Sequence, residues 1–201
     1  MKMKNLTICL TLAVLLSGAG TSWGADFEKG LAAAQSGDFA TALREFRPLA
    51  EQGSATAQFN LGLMYRRGEG VLQDYKTAVK WWTLAAEQGY ADAQYNLGWM
   101  YYNGQGVLQN YKTAVKLFTL SAEQGVAFAQ YNLGQMYYNG QGVLQNYKTA
   151  LKWYTLSAEQ GVADAQHLLG QMYRKGQGVP QDYKTALNWY TLAAEQGVAD
   201  A

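Results

Sequence analysis

Small and apolar residues recur along this chain at helical spacing, in short stretches that glycine cuts off at fixed places. Ala57, Leu61, Met64 and Tyr65 fall on one side of a helix that the pattern starts at about Ala55 and stops at about Arg67. A second apolar stretch, from about Asp74 to Gln88, follows after a Gly-x-Gly turn. Asp74, Asn110, Asn146 and Asp182 each stand where a second helix starts, and their side-chain oxygens suit its unpaired amides. Gly68, Gly104, Gly140 and Gly176 end the first helices, and Gly89, Gly125, Gly161 and Gly197 end the second ones.

This punctuation has a period of 36 residues, giving units 53–88, 89–124, 125–160 and 161–196, with a fifth opening at 197–201. Residues 25–52 form a divergent leading unit of tetratricopeptide-like character. There Asp38-Phe39-Ala40-Thr41-Ala42 aligns with Asp74-Tyr75-Lys76-Thr77-Ala78, across the shorter turn Ser36-Gly37-Asp38. One helix pair cannot hide its own apolar face, so successive pairs must stack. The expected fold is all-α, a solenoid of antiparallel helix pairs. Ala55, Ala57, Gly62 and Ala86 allow close approach; Leu61, Met64, Tyr65, Tyr75 and Leu84 are expected to fill the space between helices. The columns Trp81, Leu117, Trp153, Trp189 and Trp82, Phe118, Tyr154, Tyr190 keep apolar bulk and read as core. Pro48 falls inside the leading unit's second helix, where a kink or interruption is expected.

The pattern A-x-x-x-L-G-x-M-Y-x-x-G-x-G-V-x-Q-(D/N)-Y-x-x-A, seen in Ala57 to Tyr65 followed by Gly68-Glu69-Gly70-Val71, resembles the Sel1-like repeat family over about residues 53–201. That resemblance implies a right-handed superhelix whose first helices line the concave side, and a role as an adaptor for assemblies.

Twenty-one of the 36 columns are identical in all four units, so placement on the helix, not identity, is what discriminates. At about 100° per residue, the varying positions of the first helix share one arc, separate from the constant face. On it lie Thr56, Phe59, Asn60, Leu63, Arg66 and Arg67, then Asp92, Tyr95, Asn96, Trp99, Tyr102 and Asn103. The next units add Phe128, Tyr131, Asn132, Gln135, Tyr138 and Asn139, then Asp164, His167, Leu168, Gln171, Arg174 and Lys175. Rings supply contact area at small entropic cost, and amides and arginines satisfy backbone or hydroxyl groups. From this stripe Asn60, Arg66, Tyr95, Asn96, Trp99, Tyr102, Tyr131, Asn132, Gln135, Tyr138, His167, Gln171 and Arg174 are the candidate binding residues for a peptide, a protein or a cell-wall glycan. The bland alternative is a solvated face with Tyr95 and Tyr131 bridging adjacent units.

The N-terminus changes the setting. Lys2 and Lys4 precede an apolar run from Leu6 to Leu16, followed by Ser17-Gly18-Ala19-Gly20, as in a secretory signal over residues 1–24. Cleavage after Gly24 or after Ala19 both fit. Cys9, the only cysteine, would leave with that segment, so packing alone would hold the exported chain together. No Asn-x-Ser/Thr acceptor follows Ala25, which favours a bacterial periplasm or secretion. Removing Lys2 and Lys4 from 16 basic residues leaves 14 against 15 acidic ones, without the basic stripe that nucleic acid requires. No membrane span is expected after cleavage. The closing Val198-Ala199-Asp200-Ala201 opens another first helix without a polar cap: either the chain is a fragment, or its last helix pair is covered by a partner or a second copy, and self-association is expected.

Catalytic constellations are sparse. Some cysteine-rich Sel1-like proteins are linked to penicillin binding and β-lactam hydrolysis, so an envelope hydrolase acting on β-lactams or peptidoglycan is the alternative reading. Ser-x-x-Lys does not occur, and the Lys-Thr-Ala runs at Lys76, Lys112, Lys148 and Lys184 recur inside a helix as structure would. His167 is the single histidine, too few for a zinc site, and the Gly-x-Gly turns lack the strand and third glycine of a phosphate cradle. No enzyme activity, cofactor or metal is expected.

Overall fold

The computed structural model describes residues 25–197, and the expected signal segment lies outside them, as does all but Gly197 of the fifth opening. Ten helices follow one another: α1 (Phe27–Ser36), α2 (Phe39–Glu51), α3 (Ala55–Arg67), α4 (Tyr75–Glu87), α5 (Ala91–Asn103), α6 (Tyr111–Glu123), α7 (Ala127–Asn139), α8 (Tyr147–Glu159), α9 (Ala163–Lys175) and α10 (Tyr183–Glu195). Each packs mainly on its neighbours in sequence, so the core is a series of linked clusters, as expected of a solenoid.

Second helices begin where the polar caps stand. The Asp74 carboxylate accepts from the Lys76 and Thr77 amides, and Thr77 Oγ1 donates to it at 2.6 Å. Asn110 and Asn146 accept from the Thr113 and Thr149 amides at 3.0 Å. First helices α5, α7 and α9 have no side-chain cap and rely on packing. They stop at Gly104, Gly140 and Gly176, all in the left-handed region.

Within a pair, close approach is set by the glycine column Gly62, Gly98, Gly134 and Gly170. A Cβ at Gly62 would collide with the Trp82 indole, and one at Gly134 would come within 2.7 Å of the Tyr154 ring. Between pairs, Gly106 (φ +70°) lies against the Tyr75 backbone at the start of α4, where no side chain fits.

Adjacent pairs are riveted by buried glutamines. Gln58 donates to the Ala50 carbonyl of α2 at 3.0 Å and accepts from Gln88, just past α4, at 2.8 Å. Gln94, Gln130 and Gln166 repeat this with Ala86 and Gln124, Ala122 and Gln160, and Ala158 and Gln196. Both ends of each buried glutamine amide thus find a partner, which makes its burial tolerable.

Three expectations are corrected. Leu84 does not fill the interior: it is 44% exposed on the flank of α4, which faces a groove instead of a packed neighbour. Helix α2 runs unbroken through Pro48, because the ring forfeits one backbone bond near the helix end while Phe46 and Ala50 stay packed on either side. Leu117 does not keep the bulk of its column, since a cavity opens above it.

Candidate functional site

The thirteen candidate residues lie on α3, α5, α7 and α9, and all but exposed Arg174 are half-buried. Their surroundings explain this. Many face a group of the next unit, because stacking brings the varying arc of one first helix beside that of the following one.

The Arg66 guanidinium sits over the Trp99 ring at 5.0 Å, one unit on. Tyr102 Oη donates to Gln141 Oε1 at 3.2 Å, and Tyr138 Oη to Gln177 Oε1 at 2.9 Å, each reaching the Gly-x-Gly turn of the following unit. Their rings meet those of Tyr111 and Tyr147 tilted at 59°, with centroids 5.3 and 5.1 Å apart. The Tyr95 hydroxyl faces the Asn132 amide, while burial pushes its pKa up. Tyr131 takes a hydrogen bond from Gln135 Nε2 at 2.9 Å, and burial raises its pKa likewise.

Asn60 and Asn96 turn back onto their own helices, donating to the Thr56 and Asp92 carbonyls at 2.8 and 2.9 Å. His167 Nε2 lies 2.7 Å from Gln171 Nε2, its ring beside Tyr190; Nδ1 is buried without a partner. Phe128, at the start of α7, is 57% exposed and is the barest aromatic of the stripe. A hollow of about 280 Å³ at the stripe's beginning gathers Asn60, Leu63 and Arg67 with Phe39 of the leading unit.

Chemically, the stripe is a row of ring faces, hydroxyls and amides, with cations at its two ends. Among the described residues there is no group of three His, Cys, Asp or Glu that could hold a metal, and no helix is long and apolar enough to cross a membrane. The glutamine rivets escaped the sequence reading, although their columns are identical in all units and lie on the constant face.

The Sel1 repeat profile matches residues 55–90, 91–126, 127–162 and 163–198, each match opening at a first helix, two residues after the glycine that marks the sequence period. The chain belongs to the Sel1 repeat family. Among solved structures, the Sel1 repeat protein from Oxalobacter formigenes is 35% identical with a TM-score of 0.81, over 86% of this chain and 71% of that one. A protective antigen present in uropathogenic Escherichia coli strains, with the same repeat fold, is 44% identical with a TM-score of 0.75 over 77% of this chain, which spans only 33% of that protein. Helicobacter pylori cysteine rich protein B shares the fold at 20% identity and a TM-score of 0.53, over 66% of this chain and 95% of that one. Among curated proteins compared by sequence, none matches. Sel1 repeats typically mediate protein interactions.

Proposed function

We propose that this Sel1 repeat protein is an exported, non-catalytic scaffold that holds an extended polypeptide along the first-helix stripe, in a bacterial periplasm or outside the cell. The observation that carries this reading is the unbroken succession of half-exposed rings and amides from Arg66 and Trp99 through Tyr102 and Tyr138, bounded by Arg174. Such a row offers apolar area beside hydrogen-bonding groups, the composition of energetic hot spots. A cell-wall glycan could use the same ring faces and amides; the adaptor habit of the family favours polypeptide.

The test is capture from envelope extract with the purified chain, compared with two variants. Trp99→Ala with Tyr138→Ala should abolish capture of a discrete partner. Asn96→Ala with Arg174→Ala should weaken it at least tenfold without altering thermal unfolding, since those side chains hold no second unit. Undiminished capture by both variants would remove the stripe from the reading, and turnover of a chromogenic β-lactam or muropeptide by the chain would replace scaffold with hydrolase.

A further inference from the structure

The repeat builds the same cleft on the second-helix side of its units and in three of the four closes it with an indole. Trp81 packs against the cluster holding Ala50 and Leu61, Trp153 lies among Ala122 and Leu133, and Trp189 packs against the cluster of Ala158 and Leu169. Beneath these indoles the floors are sealed: the alanines are 2% exposed and the leucines 0%.

In the remaining unit the column holds Leu117, and the floor is open. Ala86 rises to 9% exposed and Leu97 to 4%, above their counterparts beneath the three indoles. A cavity of about 530 Å³ opens between α4, α5 and α6, lined by Thr83, Ala86, Gln94, Leu97, Leu117 and Leu120. The hollow in register with it one unit earlier is smaller, about 410 Å³, and is bounded by Trp81 instead of the floor residues. The void is therefore what remains when an indole is left out of a place shaped for one.

We propose that this cleft receives a tryptophan side chain from another polypeptide, its indole lying on Ala86 and Leu97 where the chain's own indoles lie in the other three units. The electrostatics match. Lys152 holds its Nζ 4.9 Å from the Trp153 ring centroid, and Lys116, its counterpart one unit earlier, lines the open cleft with no ring to cover. A bound indole would give Lys116 that ring and remove the floor from water, whereas a free aliphatic side chain would supply neither the flat area nor the π face. The cleft lies away from the first-helix stripe, and the assignment does not rest on the scaffold reading.

The experiment is a titration of the isotope-labelled full chain with N-acetyl-tryptophanamide, followed by the amide and methyl resonances of Thr83, Gln94, Leu97 and Leu117. Saturable shifts are expected, with a dissociation constant on the order of millimolar for one buried side chain, and none with N-acetyl-leucinamide. Leu117→Trp, which installs the residue native to this column, should fold and lose the response. Trp153→Leu should create a second set of saturable shifts around Ala122 and Leu133. The proposal is overturned by absence of saturation in the parent chain, by a response that persists in Leu117→Trp, or by free indole binding as tightly as the capped amino acid. Shifts that grow with protein concentration alone would instead assign the cleft to a second copy.

Discussion

The first-helix stripe and the Leu117 cleft both present aromatic chemistry, and they differ in what is already occupied. On the stripe, Arg66 has Trp99, Tyr102 has Gln141, Tyr138 has Gln177, and Tyr131 has Gln135. The first three contacts strap one unit to the next, and the Tyr131–Gln135 bond lies within α7. In the cleft, Lys116 lacks the ring that its counterpart Lys152 lies over, and the floor residues Ala86 and Leu97 lack the indole that covers their counterparts in three units. A surface rich in rings can therefore be a strap, while a surface missing one ring is a receptor; the state of the partner atoms decides, not the count of aromatics.

The change with the largest expected effect removes the ground under both regions. Gly62→Ala drives a methyl into the Trp82 indole, whose Nε1 donates to the Phe59 carbonyl at 3.1 Å, and should cost about 3 kcal/mol in chemical denaturation. A near-neutral result would mean that helix pairs adjust freely, and neither region would then have a fixed shape. Smaller, and specific to the stripe, is the Tyr138–Gln177 strap. A double-mutant cycle with Tyr138→Phe and Gln177→Ala should return a coupling of about 1 kcal/mol. Zero coupling would make the Tyr138 hydroxyl available to a ligand and blur the contrast.

The smallest effect separates the two walls of the cleft. Hydrogen bonds from Thr77 hold the Asp74 carboxyl below the usual carboxylate range at the start of α4, and those from Thr185 do the same for Asp182 at α10. The stability these caps add is complete above the unfolded carboxylate pKa, about 4, and is lost as pH falls through the lower folded values. Helices α6 and α8 begin at Asn110 and Asn146, which do not titrate. Hydrogen exchange at falling pH should therefore open the first turns of α4 and α10 before those of α6 and α8. Simultaneous opening of all four would count against the carboxylate caps.

Much of this arrangement was legible beforehand because the repeat writes its own punctuation. Polar caps and glycines mark every helix end, so the expected first helix, Ala55 to Arg67, coincides with α3, and the second differs from α4 only by its capping residues. Leu84 was misplaced because hydrophobicity does not say which flank of a second helix meets a neighbour, and that flank meets a groove. The stripe residues fall on one face of their helices as expected, but their partners were hidden: only the stacking offset brings Tyr102 to Gln141, 39 positions on. Leu117 read as a harmless exchange of one apolar residue for another, because sequence shows type and not the volume left behind.

The glutamine rivets bear on how such a chain changes length. Each internal junction presents the same acceptor and the same donor to whatever unit lies beside it. Loss or duplication of any whole block of 36 residues would leave each of these buried glutamines matched, so unequal recombination within the gene could lengthen or shorten the array without stranding a rivet at the new seam.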